Sequence, residues 1–274
     1  MRLGRRLLGQ TVKGVAAAAD VVRRPAPGLV VLIYHRVGGG TTAEIDLPVP
    51  AFDTQMAWLA EHRRPVTLDE GLDLVADDQP GHGPPPIVVT FDDGTADFVD
   101  HALPVLDRHR IPATLYVATD FVERQRRFPP DAPAVTWAGL AEALTSGWVT
   151  VGSHTHTHAL LDRLPEVEVA DELDRSVELI GERLGVRAEH FAYPKAVPGS
   201  PAAEDALRRR FRSAALAGTR VNPYGATDPH RLARSPVQVS DGATWFHRKA
   251  AGGMALEDTL RDVINRRRYA EATT

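Results

Sequence analysis

Short apolar runs that alternate with helical stripes limit this chain more than any other feature. Residues 29–34 (LVVLIY) are β-branched and apolar, long enough for a buried strand and too short for a buried helix. The same reading places strands at residues 87–90, running into Phe91-Asp92-Asp93-Gly94, and at 113–118, 148–152, 190–192, 213–215 and 237–239. Between them, residues 52–62, 103–110, 140–146 and 167–184 carry apolar side chains at helical spacing, the last followed by Gly185. Residues 79–86 (QPGHGPPP) are loop, because successive prolines remove backbone donors. Strand–helix alternation predicts a parallel sheet with helices outside it. Polar, chemically active residues fall just after several strands, where α/β barrels build their sites, so a closed barrel is favoured over an open sheet.

Composition narrows the chemistry. The chain has 274 residues, no cysteine and a net charge of −4. A thiolate nucleophile, a disulfide framework and a thiolate metal site are all excluded. A nucleic-acid partner would require a basic domain, which this is not. Any bound metal must be held by histidine and carboxylate.

Two clusters carry that chemistry. Asp92 and Asp93 end an apolar strand and are closed by Gly94. Two adjacent carboxylates carried inward are costly unless something neutralises them. On extended backbone neighbouring side chains point different ways, so one can ligate a metal while the other addresses a water. The second cluster is His154-Thr155-His156-Thr157-His158, again at a strand end. One helical turn would set His154 and His158 on one side, a usual spacing for two histidines on a divalent ion, with His156 pointing elsewhere. The pair plus one carboxylate makes a two-His-one-Asp set with positions open for water and substrate.

Thr90-Phe91-Asp92-Asp93-Gly94 and Ser153-His154-Thr155-His156-Thr157-His158 resemble the first two signature motifs of polysaccharide deacetylases, the NodB-homology domain of carbohydrate esterase family four. The resemblance runs from about Val30 to Phe246 and includes residues 32–37 (LIYHRV), Thr136-Trp137 and Phe191-Ala192-Tyr193-Pro194. It implies a distorted (β/α) barrel of about seven strands and metal-dependent removal of N-acetyl groups from an amino-sugar glycan or lipid-linked sugar. Asp93, His154 and His158 would bind one divalent ion, most often zinc, and Asp92 would be the general base. The oxyanion donor would be the backbone N–H of Lys195. Three family positions differ here, one of them Lys195-Ala196, where Tyr-Gly is more common. Ala192 stands where an arginine usually steadies the catalytic aspartate, and Leu232-Ala233-Arg234 stands where a histidine usually protonates the leaving amine. The expectation is an exchange of roles, as in the FAYP-type subgroup. His35, ending the first strand, becomes the acid, and Arg234 steadies Asp92; His230 is the next candidate acid. Tyr34, Tyr193 and Trp137 are candidate sugar contacts, although most aromatics beside strands are core. An O-acetyl esterase of the same site and a catalytically silent carbohydrate-binding barrel are the competing readings.

Residues 1–24 hold six basic side chains against Asp20, with leucines and valines at helical spacing. They predict a basic amphipathic helix, solvated or lying at a membrane surface. Arg5-Arg6 ahead of residues 16–19 (AAAA) also suggests a twin-arginine export signal. The expected organisation is an N-terminal segment and linker at 1–28, a catalytic domain at 29–250 and a helical tail at 251–274. The expected location is the cytoplasm, peripheral at the inner membrane face, or export through the twin-arginine signal.

Overall fold

The computed structural model describes Lys13 and residues 26–77, 83–129 and 131–256. Seven parallel strands form its centre: β1 (Gly28–Tyr34), β2 (Pro86–Phe91), β3 (Ala113–Val117), β4 (Val149–Ser153), β5 (His190–Ala192), β6 (Ser213–Ala217) and β7 (Leu232–Pro236). Each pairs with the next in chain order, and β7 returns to β1 through Leu32–Ser235 and Ile33–Pro236, so the sheet is a closed barrel. The seams are unequal. β1 and β2 share five register pairs, from Val30–Ile87 to Tyr34–Phe91, whereas β4 and β5 meet only at Ser153–Phe191.

The longer helices are α1 (Val49–His62), α2 (Leu68–Ala76), α3 (Leu103–His109), α4 (Trp137–Thr145), α5 (Glu166–Leu184), α6 (Pro201–Arg210) and α7 (Gly242–Ala250). Thr67, Thr136 and Ser200 cap α2, α4 and α6 by accepting the N–H three residues on. Gly185 ends α5 at φ 69°, the left-handed cap that its sequence position suggested. Outward-facing strand residues such as Val30, Leu32, Val89 and Phe91 pack with Phe52, Leu59 and Leu106 of the surrounding helices. Leu29, Val31 and Val88 instead join Leu68, Leu72 and Val75 of α2, which lies against the start of these strands. Burial on both faces explains why β1 and β2 read as unbroken apolar runs.

Three sequence expectations change. The last strand is Leu232–Pro236, not residues 237–239. Its inward and outward positions include buried Arg234 and Ser235, so it carries no apolar run to find. α2, α6 and α7 were not expected, although α2 carries Leu68, Leu72 and Val75 at helical spacing; α6 buries only two alanines and one leucine, which leaves a weak stripe. The N-terminal amphipathic segment lies outside the described residues except for Lys13. Its Nζ donates to Asp241 at 2.7 Å and is buried, which corrects the expectation of a solvated basic face at that position. Residues 257–274 of the expected tail also lie outside the described residues. Among the described residues no helix is long and apolar enough to cross a membrane.

Candidate active site

The β1–β2 ladder ends where Asp92 N–H donates to the Tyr34 carbonyl at 3.1 Å. Asp92 therefore still points as a strand residue does, into the barrel mouth, and is 3% exposed. The chain then turns at Asp93, whose φ of 74° lies in the left-handed region. A non-glycine residue held there stores strain on the order of 1–3 kcal/mol, which persists where surrounding structure over-determines it. The turn is fixed from outside: Asp93's carbonyl accepts Ala118 N–H at 3.2 Å.

The histidine segment is fixed to the same strand end. His154 N–H donates to Val117 carbonyl at 3.0 Å, so the end of β3 holds both clusters. Residues 154–158 do not form the helical turn expected. Thr155 and His158 sit at φ 63° and 64°, and this irregular loop brings the two imidazoles to one side. Glu172 of α5 secures it by accepting the N–H groups of His156 and Thr157 at 2.9 and 2.8 Å. His156 turns away, its Nδ1 2.9 Å from Thr119 Oγ1.

Asp93 Oδ1 lies 3.6 Å from His154 Nε2 and 3.4 Å from His158 Nε2. One ligand atom from each of the three residues fits within 4.8 Å of the others. That set can hold a divalent ion while leaving positions for other ligands. The supporting contacts fit the same purpose. His154 Nδ1 donates to the Ala192 carbonyl at 2.8 Å, which leaves the Nε2 lone pair facing Asp93. The rings of Phe121 and Phe128 meet His158 edge to face, with centroids 6.3 and 6.2 Å away. Burial drives the His154 pKa down to about 4, so the imidazole is neutral at pH 7, as a ligand must be. Asp93 is ionised: burial pushes its carboxyl up, but the His158 hydrogen bond and the charges of His35, His158 and His154 hold it far below the usual range.

Asp92 belongs to a different group. Arg234, fully buried on β7, forms a bidentate pair with it at 2.6 and 2.8 Å. The guanidinium is fixed further by its Nε bond to Leu216 carbonyl, its Nη1 bond to Thr90 Oγ1 and the Tyr116 ring 5.2 Å away. Burial pushes the Asp92 carboxyl up, but the charges of Arg234, His154 and His35 and the Arg234 hydrogen bond together outweigh it, and the net shift is downward. His35 is half-buried at the end of β1 and close enough for its charge to lower both Asp92 and Asp93. Lys195 follows β5 in a short turn at φ 54°. The N–H groups of Ala196 and Val197 make the turn's bonds, and that of Lys195 takes no part in them.

Two of the three expected sugar contacts, Tyr34 and Tyr193, are corrected. Tyr34 is fully buried between Phe52 and Phe91, with its hydroxyl donating to Gln55 at 2.9 Å. Tyr193 is buried among Phe191, Leu207 and the helices outside the barrel. Trp137 is half-buried and donates its indole N–H to Glu123, which also pairs with Arg183 in the last turn of α5. His230, the reserve acid, donates its Nε2–H to the Phe211 carbonyl ahead of β6, at the other end of the barrel. Thr90, Tyr116 and Glu172 were not anticipated. Thr90 stood inside the first motif, but nothing in the sequence marked the other two.

The buried neutral His154 predicts a pH effect in protein stripped of metal. The unfolded chain takes up this proton below about pH 6.5, the folded chain only below about 4. Folding stability from this residue is present above 6.5 and is lost as pH falls toward 4, by roughly 3 kcal/mol in full. Chemical denaturation of chelated protein at pH 7 and pH 5 measures it, with the midpoint lower at pH 5. His154→Gln should flatten that difference.

The fold and these motifs agree with comparisons to known proteins. Residues 80–210 match the family model for polysaccharide deacetylases. IcaB from Ammonifex degensii has a solved structure that superposes with a TM-score of 0.71 at 29% identity, covering 83% of this chain and 98% of that one. The Streptococcus pyogenes deacetylase PplD superposes at a TM-score of 0.72 and 17% identity, over 82% and 98% of the two chains. YxkH of Bacillus subtilis, provisionally named a polysaccharide deacetylase, is 24% identical over 217 residues, 78% of this chain and 72% of its own. The barrel is of the (β/α) type seen in solved deacetylases. Over residues 80–210 the chain matches the polysaccharide deacetylases, and its barrel superposes on solved deacetylase structures, which supports a hydrolase acting on N-acetyl amides of polysaccharides.

Proposed function

We propose that this chain is a metal-dependent N-deacetylase of an amino-sugar glycan, using zinc or a similar divalent ion. The observation that carries the reading is the convergence of Asp93, His154 and His158 beside an Arg234-clamped Asp92 at the C-terminal mouth of the barrel. Asp93 and the two Nε2 atoms would hold the ion. Bound there, it would acidify a water toward a pKa of about 7 and polarise the amide carbonyl.

The chain's own groups divide the rest of the work. Asp92 accepts the proton of the attacking water. Its pairing with Arg234 keeps it ionised at any working pH, so the acceptor is always ready. The same pairing makes it a weak base at rest, suited to an acidified water and to passing the proton onward. Negative charge developing on the former carbonyl oxygen is met by the Lys195 N–H, which the turn leaves unused. His35, across the two carboxylates, delivers a proton to the departing nitrogen. An amine leaves poorly unless protonated, so an amidase needs this group.

Asp92→Asn removes the acceptor and keeps the ligands. Bound metal by mass spectrometry should stay near one ion per chain while turnover falls by about 10²–10⁴. A near-normal rate would show that Asp92 only neutralises Arg234. His35→Ala should suppress release of acetate from an N-acetyl glycan far more than hydrolysis of an activated aryl acetate, whose leaving group needs no proton. Equal losses on both substrates would remove His35 from the acid role.

A further inference from the structure

The start of the barrel strands, opposite the active site, carries a charged cavity that the deacetylation chemistry does not use. Its volume is about 290 Å³, and its walls are Arg187, Glu189, Arg209, Arg210, Phe211 and Arg212. These residues precede β5 and β6, so both strand entries contribute to one recess. Four of the six are arginines.

The arginines are not equivalent. Arg210 forks onto Asp174 at 2.6 and 2.7 Å and bonds the Ala206 carbonyl, and Arg212 is engaged by Asp69 and Asp73. Those carboxylates stand outside the cavity, so they orient the two guanidiniums without filling it. Arg187 and Arg209 are exposed and have no carboxylate partner among the described residues. Against these two uncompensated cations the cavity wall offers one carboxylate, Glu189. The balance favours a ligand with a single or double negative charge. Guanidinium donors match phosphate oxygens in a bidentate fork, which makes phosphate the best-fitting anion. Glu189 cannot bind phosphate, but it can accept hydrogen bonds from hydroxyls set beside one. Phe211 adds a buried floor. The volume is at the lower end for ligand sites, enough for a monosaccharide and its phosphate but not for a nucleotide-sized group.

We infer that this recess is a second binding site, for a sugar phosphate or a phosphate-linked sugar unit, read by Arg187 and Arg209 at the phosphate and by Glu189 at the hydroxyls. It stands apart from the catalytic mouth and does not depend on the deacetylase reading.

The test titrates the full chain by calorimetry with glucose 6-phosphate, inorganic phosphate and glucose, at 50 mM and 500 mM salt. Glucose 6-phosphate should bind, more tightly than inorganic phosphate, and weaken at high salt; glucose should not bind. Arg187→Gln with Arg209→Gln should weaken glucose 6-phosphate binding by at least about tenfold, as expected for lost charge-assisted bonds. Glu189→Gln should bring glucose 6-phosphate down to the level of inorganic phosphate. Both side chains changed in the double variant are exposed, so its melting temperature and its acetate release should match the parent. Absence of phosphate binding in the parent, or unchanged binding in the double variant, overturns the site. Equal affinity for inorganic phosphate and glucose 6-phosphate, unmoved by Glu189→Gln, overturns the sugar assignment.

Discussion

Arg234→Met should destabilise the protein by about 3–5 kcal/mol, the largest stability effect expected of any single change in the barrel. The side chain is fully buried and its charge is matched by Asp92 at 2.6 and 2.8 Å. Removing it leaves Asp92, 3% exposed, as an unpaired carboxylate in the barrel mouth. For a domain of this size that loss lowers the melting temperature by on the order of 10 °C. The Thr90 hydroxyl and the Leu216 carbonyl lose a donor as well. Adding Asp92→Asn removes the buried charge, so the double variant should recover much of the stability that Arg234→Met lost. It should recover no activity, because the proton acceptor is gone. Equal stability of the single and double variants would mean that the pair is not the electrostatic unit described here.

His158→Ala should lose both bound metal and turnover, and so should Asp93→Ala and His154→Ala. A site with three protein ligands cannot give one up and keep its ion at working concentrations. The loss should exceed the 10–100-fold in affinity typical of removing a supporting hydrogen bond. Glu172→Gln offers that comparison. Among the described residues Glu172 accepts hydrogen bonds from the N–H groups of His156 and Thr157 and the Thr157 hydroxyl, so the change should loosen the loop and weaken metal retention without abolishing it. Metal content per chain, measured by mass spectrometry after dialysis, ranks the four variants. Full occupancy in His158→Ala would contradict the ligand assignment.

Much of this was legible because strand and chemistry coincide in the chain. Runs such as LVVLIY and IVVTF are buried on both faces and so announce themselves, and the polar residues at their ends mark the barrel mouth. β7 is the exception. Leu232–Pro236 turns a buried arginine inward and a buried serine outward, and no apolar pattern can reveal a strand whose inner face is ionic. The aromatic contacts failed for a related reason. An aromatic beside a strand end has the same sequence signature whether it faces the sugar or, like Tyr34, the helices. Nor could spacing show how His154 and His158 converge. Two left-handed residues do what a helical turn would have done, and backbone sign is not written in side-chain type. Tyr116 and Glu172 act across 118 and 14 positions from Arg234 and His158, respectively, so only the folded chain brings them to the site.

We propose that the barrel mouth removes N-acetyl groups with a divalent ion held by Asp93, His154 and His158. Acetate release from an N-acetylglucosamine oligomer tests it most directly, using protein stripped of metal and then titrated with zinc. Stripped protein should release no acetate, release should saturate near one ion per chain, and free amine on the glycan should rise to match. Release that persists in the stripped protein, or acetate without new amine, would contradict it.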